Sequence, residues 1–208
     1  MKTRNLKGAI LKIYLSKSYD KVNWLYIHML LIHLGFGIAF FRWIMSCVTT
    51  VSFSVLINGA ASPFFHAERG LRQGCPLSPL LFLLVVEGLS LLLKKAHSEG
   101  GLIGIVVAQH LQITHLLFLD DVLILCSGRV QYVNTISNIL GLFSFATGME
   151  INDGKSTLTT HCMDNEEVRH ASVLFPFICA SLDEGLKYLG FLLKPNNYLK
   201  EDWLWLIE

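Results

Sequence analysis

The run His115-Leu-Leu-Phe-Leu-Asp120-Asp121-Val-Leu-Ile-Leu-Cys126 sets two adjacent carboxylates inside an otherwise apolar stretch. The apolar segment on either side is short, which predicts a β-hairpin with the acids at its tip. Two-residue hairpin turns favour Asn-Gly, Asp-Gly or Gly-X, because those residues accept positive φ. Asp-Asp has no such backbone advantage. Two carboxylates ~4 Å apart repel by ~1 kcal/mol in water and ~4 kcal/mol at an effective dielectric of 20. A divalent cation held by oxygen ligands offsets that repulsion. An exposed turn with two solvated acids avoids it. On this stretch alone both readings stand.

Working outward, Ala9–Leu15 reads as a strand, with Leu11, Ile13 and Leu15 on one face and Ile10, Lys12 and Tyr14 on the other. Asp20 is placed as the N-cap of a helix from Lys21 to about His33, stopped by Gly35 and Gly37. A second short helix is predicted over Ala39–Thr49. Val51–Ile57 and Pro63–Glu68 flank the turn signal Asn58-Gly59. A long helix from Ser78 to about His97 follows a glycine-containing loop, with Lys94 and Lys95 suiting its C-terminal dipole. Strands are predicted at Ile103–Ala108, Ile113–Leu119 and Val122–Cys126, a helix at Val130–Phe145, a turn at Asp153-Gly154, and a short strand or hairpin arm at Leu186–Leu193. Hairpins outnumber βαβ crossovers, so the expected class is α+β, an antiparallel sheet with helices packed on one face.

Composition narrows the function. The 208 residues are 52% hydrophobic and 16% charged, with a net charge of +1. Such a chain is not intrinsically disordered, and it is not a uniformly basic nucleic-acid glove. A polyanion would have to be held by local positive charge or by metal ions. The five cysteines include no CxxC pair, so they indicate neither a zinc module nor a disulfide framework and are expected to be buried free thiols. The amino-terminal stretch lacks a long apolar run and a cleavage site, which argues against secretion. Met29–Val48 and Cys75–Leu93 approach bilayer-spanning length. Arg42 and Glu87 would lie within them, where a charge costs ~2.5–3.5 kcal/mol on insertion scales, so no membrane partner is expected.

The acidic pair has company in a fixed order. Lys17-Ser-Tyr-Asp-Lys-Val-Asn-Trp24 and Arg69-Gly-Leu-Arg-Gln-Gly-Cys-Pro-Leu-Ser-Pro-Leu-Leu-Phe82 precede Phe118-Leu-Asp-Asp121. Gly148-Met-Glu-Ile-Asn-Asp-Gly-Lys-Ser156 and Tyr188-Leu-Gly190 follow it. This series resembles the palm of a reverse transcriptase (RNA-directed DNA polymerase), of the kind encoded by plant-like non-LTR (LINE-type) retrotransposons. The family patterns are KAYDxVxW, RGLRQGxPLSPLLF, FADD, GLxINxxKS and YLG, and the resemblance runs from about Leu11 to Trp205.

The resemblance implies a polymerase palm that uses two Mg²⁺ ions, ~3.5–4 Å apart, to stabilise an in-line nucleotidyl transfer. It makes Asp120 and Asp121 metal ligands and catalytic residues, and Lys155 a proton donor to the leaving pyrophosphate. It makes Tyr19 the floor of the sugar pocket, and Gln73 and Gly74 nucleotide-binding residues. Arg69, Arg72, Leu189 and Gly190 fall to primer and template. The implied partners are an RNA template, a DNA primer and deoxynucleotides; no stable protein partner is expected, and the sequence assigns no compartment, nucleus or cytoplasm.

One position departs from the pattern. The family carries its third aspartate five residues before the aromatic of KAYD, and that position is Tyr14 here. A phenol with a pKa near 10 is neutral at physiological pH and cannot balance a dication as a carboxylate does. Asp20 cannot replace it, being about 20 Å further along a strand or about 9 Å along a helix. The expectation is therefore a catalytically impaired reverse transcriptase. Residues 1–185 are expected to form the palm core with most of the fingers missing, and residues 186–208 the primer-grip hairpin and the start of a thumb. A non-catalytic domesticated module that binds RNA or protein, and a small membrane protein, remain as alternative readings.

Overall fold

The computed structural model describes residues 7–108, 111–194, 198–200 and 202–203. In chain order the elements are β1 (Gly8–Ser16), α1 (Ser18–Lys21), α2 (Trp24–His33), α3 (Ile38–Thr49), the two-residue strands β2 (Ser52–Phe53), β3 (Leu56–Ile57), β4 (Ala60–Ala61) and β5 (Phe65–His66), then α4 (Leu77–Ser98). There follow β6 (Ile105–Ala108), β7 (Leu111–Ile113), β8 (His115–Phe118), β9 (Asp121–Cys126), α5 (Val130–Thr147), β10 (Glu150–Ile151), β11 (Thr157–His161), α6 (Asn165–Leu174), β12 (Ile178–Ser181), β13 (Leu186–Tyr188) and β14 (Phe191–Leu193). The expected end of the resemblance at Trp205 lies outside the described residues. The chain forms two compact units: residues 1–14, 93–138 and 152–208, and residues 15–92 and 139–151.

The first unit holds the main sheet, in the order β12-β11-β1-β9-β8. Strands β11, β1, β9 and β8 are antiparallel neighbours. With α4 joining β1 towards β8 and α5 joining β9 to β11, the chain traces the βαββαβ pattern of the split-βαβ fold. Strand alternation decides burial. On one face Ala9, Leu11 and Ile13 pair with Cys126, Ile124 and Val122, and all six are completely buried. Each such aliphatic side chain contributes ~1.5–3 kcal/mol when removed from water. On the other face lie Ile10, Lys12, Tyr14, Asp121, Leu123 and Leu125. There Ile10 and Leu123 pack in one cluster with Leu186 and Tyr188 of the β13–β14 hairpin, and Lys12 Nζ donates to the Lys187 carbonyl at 3.1 Å.

The sheet is not purely antiparallel as expected: α6 returns the chain so that β12 lies parallel to β11. A parallel neighbour needs such a crossover. The crossover carries its own start signal, a capping box in which the Asp164 side chain accepts from Glu167 N–H and the Glu167 side chain accepts from Asp164 N–H.

The second unit corrects the expected helix start. Asn23, not Asp20, caps α2, its Oδ1 accepting from Leu25 N–H at 2.8 Å. Asp20 sits inside the short α1 and accepts from Gln73 Nε2 at 3.3 Å. Asn58 and Gly59 both take positive φ in the turn between β3 and β4, as expected. Phe40 and Trp43 are exposed, and Trp24 is half-buried. The cysteines are all free, but only Cys126 is buried, against the expectation of buried thiols. Among the described residues one helix, α4, is long and apolar enough to cross a membrane. Its buried residues Leu81, Phe82, Val85, Val86, Leu89 and Leu93 follow the spacing of a core-facing stripe.

Candidate active site

The acidic hairpin of the first unit differs from its expected form by one residue. Phe118 pairs with Asp121, so the two-residue turn is Leu119-Asp120 and Asp121 opens β9. Leu119 takes φ 54°, a left-handed conformation unusual for a residue other than glycine, and its side chain is 50% exposed. Such backbone costs ~1–3 kcal/mol and clusters at functional sites. Both acids are half-buried rather than fully solvated.

Strand β1 supplies the neighbour. Tyr14 is the register partner of Asp121, so the two side chains leave the same face of adjacent strands. Main-chain bonds fix Tyr14 from its other edge. Its N–H donates to Ser156 Oγ at 3.1 Å, and its carbonyl accepts from Asn152 N–H at 2.9 Å. The Asn152 side chain in turn accepts from Lys155 N–H at 3.1 Å, a short Asx-type turn that aims Lys155 back over β1. The Lys155 ammonium stands 4.8 Å from the centroid of the Tyr14 ring. Tyr188 completes the surroundings. Burial, and then the charge of Asp121, push its phenol above the ordinary value. Asn152, Ser156 and Tyr188 belong to this cluster; the sequence placed them within the quoted motifs but gave a role there only to Lys155, Leu189 and Gly190.

Leu189 and Gly190, expected at primer or template, form the two-residue turn of the β13–β14 hairpin. Both take positive φ, the signature of a type I′ turn.

The remaining expected residues lie in the second unit. The loop after β5 is laced to residues 19–24. Leu71 N–H donates to the Tyr19 carbonyl at 2.7 Å and Gly70 N–H to that of Val22 at 2.8 Å. Trp24 Nε1 donates to the Gly70 carbonyl at 2.6 Å. Gly70 is required here: its φ is +89° and a Cβ would stand 2.6 Å from the Asp20 carbonyl oxygen. The lacing brings Tyr19, Gln73 and Gly74 together in one cavity of about 440 Å³, with Cys75, Pro76, Ser78 and Pro79. Tyr19 is stacked on Phe82 at 4.8 Å. A second cavity of about 460 Å³ is lined by Arg69 and Arg72 together with Asp20, Trp24, Phe53 and Gln73.

An acidic hairpin beside the first strand of a βαββαβ sheet defines the palm of a template-directed polymerase. The chain belongs to the reverse transcriptase (RNA-dependent DNA polymerase) family, whose model matches residues 2–193. It is 26% identical to the Pol polyprotein of the type-1 retrotransposable element R2 of Popillia japonica, over 96% of this chain and 29% of that protein. It is 27% identical to a 149 kDa protein of the Xenopus laevis transposon TX1, over 73% of this chain and 11% of that one. A mitochondrial protein of Arabidopsis thaliana is 51% identical over 32% of this chain and 55% of its own length. The chain thus spans little more than half of one of these relatives and under a third of the others. Among solved structures, telomerases from Candida albicans and Candida tropicalis share the fold. Their TM-scores are 0.55 and 0.58, at 15% and 13% identity, over 73% and 77% of this chain and 27% and 32% of theirs.

Polymerases of this family work with divalent metal ions. The residues present do not make a complete site for two of them. Asp120 and Asp121 supply two carboxylates, the register position opposite Asp121 holds a phenol, and no three His, Cys, Asp or Glu side chains converge anywhere among the described residues.

Proposed function

We propose that this chain is the reverse transcriptase palm of a LINE-type retroelement in which nucleotidyl transfer is disabled at Tyr14. The observation that carries the reading is the register pair Tyr14–Asp121. The carboxylate that would complete the ion-binding set belongs on β1 at this level, and the side chain there is neutral and bulky. A loss of ~4–7 kcal/mol of transition-state stabilisation lowers the rate by roughly 10³–10⁵.

The substrates proposed are an RNA template, a DNA primer and deoxynucleotides. In support, Tyr19, Gln73 and Gly74 line one cavity, which suits a nucleotide sugar and base. Arg69 and Arg72 line another, which suits phosphate. The Leu189-Gly190 turn is proposed as the primer-side contact, and Lys155 as the ancestral proton donor. In the same reading residues 1–185 are the palm core and residues 186–208 its primer-grip hairpin and the start of a thumb.

The test is primer extension on an RNA template with Mg²⁺ and with Mn²⁺, comparing the natural chain with Tyr14→Asp. The expected result is negligible synthesis by the former and a gain of at least tenfold in the latter. Robust extension by the natural chain overturns the reading.

A further inference from the structure

Position 14 does more than lack a carboxylate. The Asn152–Ser156 segment is bonded to both main-chain groups of Tyr14, through Tyr14 N–H to Ser156 Oγ and Asn152 N–H to the Tyr14 carbonyl. Lys155 lies between those two anchors on the only turn of that segment, with its backbone N–H held by the Asn152 side chain. These anchors hold the Lys155 backbone beside residue 14, and its ammonium meets the face of the Tyr14 ring at 4.8 Å. A cation over a Tyr face within about 6 Å is attracted by the ring quadrupole. Lys155 is otherwise an exposed side chain on a surface turn.

We propose that Tyr14 is a positioning residue for Lys155: its ring parks the ammonium against β1 and withholds it from a substrate phosphate. The functional meaning rests on the reading above, in which Lys155 descends from a proton donor. On that reading one substitution impairs the site twice. It removes an ion ligand, and it supplies a ring that occupies the lysine.

The contact is read without any activity assay. Selective ¹³C labelling of lysine reports Lys155 by NMR, assigned by its loss in Lys155→Arg. The Lys155 Hε signals are expected upfield of the other lysines through the ring current, to stay there in Tyr14→Phe, and to move to the ordinary lysine position in Tyr14→Leu. Acylation of Lys155 by a soluble N-hydroxysuccinimide ester, followed by mass spectrometry, is expected to quicken roughly two- to fivefold in Tyr14→Leu, the change that losing a contact of ~0.5–1 kcal/mol gives. Other lysines serve as the internal control for folding. Lys155 signals at the ordinary position in the natural chain overturn the proposal, and so does loss of the upfield shift in Tyr14→Phe. An active natural chain that keeps the ring-current shift would sink the functional reading and leave the contact standing. An inactive chain without the shift would do the reverse.

Discussion

Tyr14 of β1 and Asp121 of β9 close the last rung of their antiparallel ladder, which begins at Ala9 and Cys126. One residue further on, β1 has no register partner in β9, and Leu15 pairs with Ile151 of β10. The rung is thus the last at which a β1 side chain meets the hairpin carrying Asp120. A side chain at position 14 must face Asp121 at the distance of a cross-strand pair, ~4.5–5.5 Å between Cβ atoms. A carboxylate placed there stands directly opposite that of Asp121.

Metal affinity should follow directly. Titration with Mn²⁺, observed by its electron paramagnetic resonance, is expected to give weak binding to the natural chain. Binding to Tyr14→Asp should tighten at least tenfold, which is about 1.4 kcal/mol. Adding Asp121→Asn to that variant should abolish the gain. Equal affinity of the natural chain and Tyr14→Asp would mean that residue 14 does not face the ion site.

The turn at Leu119 offers a test independent of metal. A non-glycine residue in the left-handed region carries a cost of roughly 1–2 kcal/mol, and the greater unfolded-state freedom of glycine costs 0.5–1 kcal/mol. Leu119→Gly should accordingly leave stability unchanged or raise it by up to ~1 kcal/mol, although it deletes a large side chain. Urea unfolding of the two proteins decides. A loss above 1 kcal/mol would show that the Leu119 side chain packs against something in the fold.

The thiols should separate by pH. At Cys75 the backbone amides of Leu77 and Ser78, the Ser78 hydroxyl and the charge of Arg72 hold the thiol below its ordinary value against a smaller opposing effect of partial burial. The thiolate is the reacting form, so alkylation of Cys75 should accelerate at lower pH than that of a free thiol such as glutathione. Burial pushes the Cys126 thiol up to about 11, and it should resist alkylation until the chain unfolds. The sign for stability follows. The unfolded chain loses this proton near 9 and the folded one near 11, so the contribution of Cys126 is intact below 9.0 and is lost as the pH rises towards about 11. Mass spectrometry after timed iodoacetamide exposure tests both halves, and labelling of Cys126 before Cys75 in the native protein would contradict them.

How far the sequence could be read depended on whether neighbours in sequence or partners across the fold decide an element. The β8–β9 hairpin was legible because apolar segments flank its acids, yet its tip was misplaced by one residue. Register is set by pairing with β1, and that pairing accepted a strained Leu119 to keep Asp121 in the ladder. Asp20 looked like a cap because its residue type caps helices well. The actual cap, Asn23, is as good a type, and Asp20 is taken by Gln73, 53 positions away. Strands β11 and β12 and the helix between them were missed. Threonines and short polar segments give weak periodicity, and only the Asp164–Glu167 capping box marked that helix locally. The pairing of Tyr14 with Asp121 lay beyond composition and periodicity, since it is a relation between residues 107 positions apart; ordered motifs, compared with a family, were the only guide to it.

The lacing of residues 19–24 to the loop after β5 makes the last prediction. Gly70 donates to Val22, accepts from Trp24, and leaves no space for a Cβ beside the Asp20 carbonyl. Gly70→Ala meets two separate penalties: a backbone conformation that costs an L-residue ~1–3 kcal/mol, and a clash with main chain, which unlike a side-chain tip cannot rotate aside. The loop must shift, and with it the Trp24–Gly70 bond that holds the indole. The expected outcome is a loss of at least ~1–3 kcal/mol in urea, accompanied by a change in tryptophan emission and, if the proposed roles of Gln73 and Gly74 on the same loop hold, by lower affinity for deoxynucleotides. Gly74→Ala is the contrasting variant. Its φ is also positive, at +80°, but nothing lies within 4 Å of its would-be Cβ, so it should carry the conformational cost without the clash and leave the Trp24 emission unchanged. Similar emission changes in both variants would show that backbone strain alone, and not the close approach to Asp20, makes glycine necessary at position 70.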